Sequence, residues 1–180
     1  MRITKENTSA VFIDIQEKLV PVMNEKETLL EHIQILLQGL QVLEIPLVFT
    51  QQYTKGLGET LAPLKSLISD FSAIEKTDFS CYGSDEFKEF LRTNKSKQVI
   101  LCGIEAHVCV LQTAIDLKEA GFTPIVITDC ISARSSANVG IALERLRHEQ
   151  IMTSGYESIL FELTRTSQSE SFKAISRLVK

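Results

Sequence analysis

The sequence has no excess of basic residues: 19 Lys and Arg stand against 23 Asp and Glu, for a net charge of −4. That balance leaves no basic footprint for nucleic acid and no polybasic segment for an anionic membrane. No apolar run approaches the roughly 20 residues that a membrane helix needs. The opening MRITKENTSA lacks the apolar stretch of a signal peptide, so the expected address is the cytoplasm. The four cysteines form no CxxC pair and no zinc-finger spacing with histidine, and without an export signal they are expected to be free thiols. GxxxxGK and GxGxxG phosphate loops are missing, which argues against a nucleotide. There is no internal repeat, linker or low-complexity stretch.

What is present is the profile of an ordinary folded protein, 44% apolar and 23% charged. Its 180 residues suit a single domain over 1–180, large enough to bury a core without a staple. Strand-like runs alternate with amphipathic stretches from end to end. The strand candidates are Ser9–Ile15, Leu47–Gln51, Ala73–Lys76, Gln98–Gly103, Pro124–Asp129 and Ile151–Ser154. Several are near-continuous Val- and Ile-rich runs, as expected of strands buried on both faces of a parallel sheet. Helical spacing predicts helices over Glu27–Leu43, Asp85–Thr93, Val108–Ala120 (stopped by Gly121), Ala137–Glu149 and Ser169–Val179. Tyr53 to Glu59 reads as irregular. The alternation implies right-handed crossovers and a doubly wound α/β architecture.

Ligands of such sheets bind beyond the carboxyl ends of the strands, near a topological switch point. Three residues stand there: Asp14 after VFI, Lys76 at the end of the short third strand, and Cys109 at the start of the helix after QVILCG. Taken singly, none carries weight. A strand-end carboxylate often caps a helix, a lysine is usually a solvated charge, and a cysteine is usually a small packing residue. Together they form a coherent site. A free thiol near pKa ~8.5 is mostly protonated at neutral pH, and both a helix N-terminus and an ammonium would lower that value. A carboxylate within reach could take the thiol proton and return it to a leaving group. Backbone N–H groups around Cys109 could hold an oxyanion. Gln16, Gln52, Tyr53, Phe79 and His107 are candidates for a substrate pocket, with Gln16 either ordering it by hydrogen bonding or simply forming a turn. Cys81 reads as an exposed or loop thiol, and Cys102 and Cys130 as packing residues.

DIQ after the first strand, the lysine closing the third and GIEAHVCV after the fourth together resemble the isochorismatase-like cysteine hydrolase superfamily. That superfamily includes nicotinamidases, N-carbamoylsarcosine amidases and isochorismatases. The resemblance runs from Ser9 to about Leu163. With TQQYTKGLG, TDCISAR and ALERL it is nearest the small isochorismatase-domain-containing hydrolases. It implies a three-layer α/β/α fold with a six-stranded parallel sheet of order 3-2-1-4-5-6. It implies a triad of Asp14, Lys76 and Cys109, and a non-proline cis peptide at Ile104–Glu105 that would help Cys109 form the oxyanion site. It also implies a homo-oligomer, dimer or tetramer, acting on a small-molecule substrate.

Two departures narrow the chemistry. Metal-binding nicotinamidases carry Asp-x-His and a further His after the second strand, whereas QQYTKGLGE holds neither residue type. No metal and no other cofactor are therefore expected, and nicotinamide is disfavoured as substrate. True isochorismatases lack the nucleophilic cysteine, so Cys109 argues against vinyl-ether chemistry. The expected activity is hydrolysis of a small amide, or a related C–N bond, through an acyl thioester. The alternatives are a non-catalytic or regulatory binding member of the fold, a thiol redox protein, and a Cys109–His107 pair. The redox reading lacks a resolving cysteine at CxxC spacing. The Cys–His reading pairs residues two apart, which do not face each other on a helix.

Overall fold

The computed structural model describes residues 1–180. Six strands, β1 (Thr8–Ile13), β2 (Leu47–Gln52), β3 (Ala73–Lys76), β4 (Gln98–Ile104), β5 (Thr123–Ser132) and β6 (Met152–Ser154), form one sheet. Their order is β3-β2-β1-β4-β5-β6, and every pairing is parallel. The helices are α1 (Lys26–Val42), α2 (Thr54–Leu57), α3 (Ala62–Lys65), α4 (Asp85–Thr93), α5 (Leu111–Glu119), α6 (Ser136–His148), α7 (Tyr156–Thr164) and α8 (Phe172–Leu178). None is long and apolar enough to cross a membrane.

The period of two along each strand sorts side chains between two cores. From β1, Ala10 and Phe12 join one core, with Ile33, Leu37 and Leu40 of α1, Leu160 of α7 and Ile175 of α8. Val11 and Ile13 join the other, with Phe87 and Leu91 of α4, Leu117 of α5 and Leu146 of α6. The result is a three-layer α/β/α sandwich. All residues of β1 and β4 are buried, which is why those segments read as unbroken apolar runs. Successive crossovers wind one way from β1 to β3 and the other way from β4 to β6. The ends of β1 and β4 therefore flank the topological switch point, where sheets of this kind form a crevice.

Several boundaries differ from expectation, each for a physical reason. β1 stops at Ile13 rather than Ile15 because Asp14 adopts φ 52 and turns the chain out of the sheet. β5 extends through Ser132, passing an irregularity where its pairing with β4 shifts between Leu101 and Gly103. The helix expected at Val108 begins earlier, as a π turn over Ala106–Val110 that leads into α5. The supposed loop after β2 contains the single turn α2. The chain after β6 forms α7, which carried no local start signal. Gly155 precedes it, and the backbone N–H of Tyr156 donates instead to Asp129 Oδ1 on β5, at 2.9 Å.

Gly103 permits a close approach between β1 and β4. It lies opposite Ile13 with φ +115, and a Cβ there would stand 2.1 Å from the Ile13 carbonyl oxygen. Gly103→Ala must therefore push β1 and β4 apart just beneath the crevice. A loss of about 3 kcal/mol or more is expected, combining backbone strain and overpacking. Urea denaturation measures it, and an unchanged midpoint would contradict the constraint.

Candidate active site

Asp14 and Lys76 meet at the crevice. Lys76 Nζ stands 2.7 Å from Asp14 Oδ2, and both side chains are almost wholly sealed from solvent. Such a pair survives desolvation only where its remaining valences are met. Here they are. Thr50 Oγ1 donates to Asp14 Oδ1 at 2.8 Å. The ammonium also donates to Gln52 Oε1 at 2.7 Å, the Phe79 carbonyl at 3.0 Å and the Asp78 carbonyl at 3.2 Å. Thr50 and Gln52 are alternate residues of β2, so one strand face serves both charges.

A second layer fixes the first. Gln16 is buried, and its Oε1 accepts from the Gln52 backbone N–H at 2.7 Å. Its Nε2 donates to the Gly58 carbonyl at 2.6 Å and the Gln52 carbonyl at 3.1 Å. Gln52 Nε2 donates to the Thr77 carbonyl at 2.6 Å. Gln16 thus staples the ends of β1 and β2, and Gln52 ties β2 to the end of β3. Neither amide is left aimed at an open pocket.

Cys109 lies in the π turn that opens the α5 helix, 7% exposed. Its thiol is pushed up to about 12. Burial is the largest cause, followed by the negative charge of Asp14; Lys76 lowers the value but does not prevail. The helix start and ammonium were expected to depress this thiol. Placed in a dry site beside an existing carboxylate, it is instead held protonated at rest.

The other candidates occupy the surrounding shell. Tyr53 and Phe79 are more than half exposed at the rim. Both are anchored through their backbones to Lys76: the Tyr53 N–H donates to the Lys76 carbonyl at 3.1 Å, and the Phe79 carbonyl accepts from Nζ. His107 is half-buried, with a buried Nδ1 that has no hydrogen-bond partner. Ile104 is buried, and the Ile104–Glu105 peptide is cis. The Glu105 carboxylate faces outward and accepts from Arg134 Nε at 3.1 Å.

Cys81 corrects an expectation. It is fully buried rather than exposed, because the 3-10 turn Cys81–Gly83 folds inward beneath the site. Its N–H donates to Thr113 Oγ1 of α5 at 2.9 Å, and its Sγ lies 3.8 Å from Thr50 Oγ1. The sequence singles out neither Thr50 nor Thr113, and it reads Cys81 as a thiol outside the site. Thr50 alone left a signal, as a polar residue inside the apolar run LVFTQ. No group of three His, Cys, Asp or Glu side chains is arranged to hold a metal ion. A separate cavity of about 400 Å³, lined by His32, Asp129 and Ser132 among others, contains none of Asp14, Lys76 or Cys109.

A buried acid–ammonium pair with a thiol beside it, at the switch point of a doubly wound sheet, defines an α/β protein equipped for nucleophilic chemistry. The family model for the isochorismatase domain matches residues 8–156, and the chain belongs to that family, whose membership supports hydrolase activity in general. It is 33% identical over 180 residues to a secreted isochorismatase effector, Isc1, of Phytophthora sojae, covering 97% of this chain and 85% of that protein. A solved structure described as the MAR1 ribonuclease of Caenorhabditis elegans superposes with a TM-score of 0.93 at 32% identity, covering 99% of this chain and 92% of that one. The YcaC gene product of Escherichia coli, described as an octameric hydrolase of unknown specificity, shares the fold with a TM-score of 0.92 at 19% identity. The match covers 99% of this chain and 90% of that one.

The opposed effects of Asp14 and Lys76 on the thiol can be separated. Asp14→Asn removes the carboxylate that raises Cys109 and leaves the ammonium that lowers it. The midpoint for iodoacetamide alkylation of Cys109 should therefore fall in the variant, relative to a wild type that still gains rate well above the ordinary thiol value of about 8.5. The same change strands a buried ammonium and should cost about 3–5 kcal/mol of stability. An alkylation profile that does not move would show that Asp14 does not act on the thiol.

Proposed function

We propose that the protein is a cysteine-dependent hydrolase of a small-molecule amide, or a related C–N bond, working through a covalent thioester. Cys109 is the nucleophile, Asp14 the general acid and base, and Lys76 the charge that supports both. The observation that carries this reading is the sealed Lys76–Asp14 ion pair, whose two charges act in opposite senses on the Cys109 thiol. Simple ionisation of Cys109 would put a second negative charge beside Asp14 and is disfavoured. Transfer of the thiol proton to Asp14 adds no charge: the single negative charge moves from carboxylate to sulfur, still opposed by Lys76. Each carboxylate oxygen retains acceptor capacity beyond its one partner.

The steps follow from that transfer. Cys109 Sγ attacks the carbonyl carbon as its proton passes to Asp14. The oxyanion develops against backbone N–H groups around Ile104, Glu105 and Cys109. Asp14 gives the proton to the leaving amine, and the C–N bond breaks. Water then loses a proton to Asp14 and attacks the thioester; the C–S bond breaks, the acid is released, and Asp14 returns the proton to Cys109 Sγ. Tyr53, Phe79 and His107 form the wall against which the substrate rests. Gln16 and Gln52 act behind that wall, by holding Lys76 and the strand ends in place.

The likeness to a protein described as a ribonuclease supports a second reading, cleavage of RNA. Against it stands the net charge of −4, which gives no overall basic excess to attract phosphates. We also read residues 1–180 as a single domain, cytoplasmic and homo-oligomeric. The octameric state described for a protein of the same fold supports self-assembly.

A panel of small amides and an RNA oligonucleotide tests these readings together. Cys109→Ala should lower amide turnover by about 10³-fold or more. Intact-mass measurement of wild type quenched during turnover should find an acyl adduct on Cys109. A fully active Cys109→Ala enzyme would refute the mechanism. RNA cleavage without amide turnover would favour the second reading, and an inert Cys109 with no turnover would favour a binding role.

A further inference from the structure

The acyl-transfer chemistry leaves one nucleophilic group beside the site unused, the thiol of Cys81. We propose that Cys81 is the resolving thiol of Cys109, so that peroxide oxidation of the site ends in a reversible Cys81–Cys109 disulfide that switches it off.

The two thiols come to Asp14 from different elements. Cys81 Sγ lies 3.8 Å from Thr50 Oγ1, and that hydroxyl lies 2.8 Å from Asp14 Oδ1. The Cys81 backbone is held by Thr113 Oγ1. Thr113 stands four residues after Cys109, which places it on the same side of the helix. Cys81 and Cys109 share one apolar cluster on the α4–α5–α6 side of the sheet. Cys102 and Cys130 belong to the cluster on the opposite side and cannot compete. Cys109 is also the one cysteine of the four with any exposure, so an oxidant in solution meets it first. The charges of Asp14 and Lys76 act on both thiols, which supports their closeness.

Hydrogen peroxide supplies the oxidising equivalents. Cys109 Sγ attacks one peroxide oxygen while its proton passes to Asp14; the O–O bond breaks. The departing hydroxide takes that proton and leaves as water, and Cys109 becomes a sulfenic acid. Cys81 Sγ then attacks the Cys109 sulfur, the S–O bond breaks, and the hydroxyl leaves with the Cys81 proton as a second water. In sum, two thiols and one peroxide give one disulfide and two waters, and a dithiol reductant reverses the change. Capture by Cys81 diverts the sulfenic acid from the irreversible sulfinic and sulfonic acids.

This inference needs the thiol pair and Asp14, not the amide reading, and its readout is mass rather than turnover. The full-length reduced protein is titrated with hydrogen peroxide, blocked with N-ethylmaleimide and digested without reductant. The expected product is one peptide pair joining Cys81 to Cys109, with two thiols and two hydrogens lost and both thiols restored by dithiothreitol. Cys81→Ala, or Cys81→Ser should the alanine variant not fold, is expected to lose that recovery and accumulate sulfinic and sulfonic acid at Cys109. Wild-type protein that reaches the sulfinic acid with no Cys81 linkage would overturn the proposal. So would a linkage from Cys109 to Cys102 or Cys130.

Discussion

The charge on Lys76 is the constraint around which the rest of the site is arranged. An ammonium sealed in a protein interior must be surrounded by acceptors or it destabilises the fold by several kcal/mol. Lys76 meets one carboxylate, one amide oxygen and two backbone carbonyls. Those acceptors come from the ends of β1 and β2 and the segment after β3, so satisfying one charge fixes three pieces of chain. Thr50 completes the carboxylate, and Gln16 and Gln52 lock the strand ends that carry these groups. The polar network is thus a structural joint between strands as well as a candidate site, and its members are hard to change singly.

The sheet sets where that joint can form. Because the winding reverses between β1 and β4, the chain leaves those two strands in opposite directions, and their ends adjoin at the switch point. β1 presents Asp14 at the crevice only because the backbone turns into the left-handed region there. β4 reaches the same level only because Gly103 lets it pass close to the Ile13 carbonyl. The segment after β4 then folds as a π turn, which carries Cys109 over the crevice. The positions of all three groups follow from strand ends rather than from loops, which favours precise geometry.

Much of this was legible in the sequence, and the reasons are local. β1 and β4 are buried on both faces, so their apolar runs announce a parallel sheet. α1 and α4 carry clear helical spacing and fall within about a residue of expectation. The strand ends could then be inspected for chemistry, and Asp14, Lys76 and Cys109 stood out by residue type. What stayed hidden depends on contacts between distant segments. The start of α7 is capped by Asp129, 27 positions earlier in the chain, so no local signal marked it. Cys81 follows a turn-rich stretch that looks exposed, yet Thr113 and Thr50 draw it inward. Gln52 reads as a wall residue, and only the fold reveals that its amide faces Lys76 and the Thr77 carbonyl.

The sign of the Cys109 shift belongs to the same category and carries the most chemistry. From residue types alone, a thiol beside a lysine and a helix start is an activated thiol. In the folded site the carboxylate already neutralises that lysine, and burial penalises any further charge. The relevant quantity is then not the acidity of Cys109 by itself but the position of one proton within a three-group unit. With the proton on sulfur the unit is an ion pair and a neutral thiol. With the proton on Asp14 it is an ion pair of thiolate and ammonium beside a neutral acid. Both arrangements carry the same net charge, so moving between them avoids the penalty that simple ionisation would incur. A site built this way disfavours spontaneous ionisation of its sulfur. In the proposed mechanism the thiolate forms only as the sulfur attacks and Asp14 takes its proton.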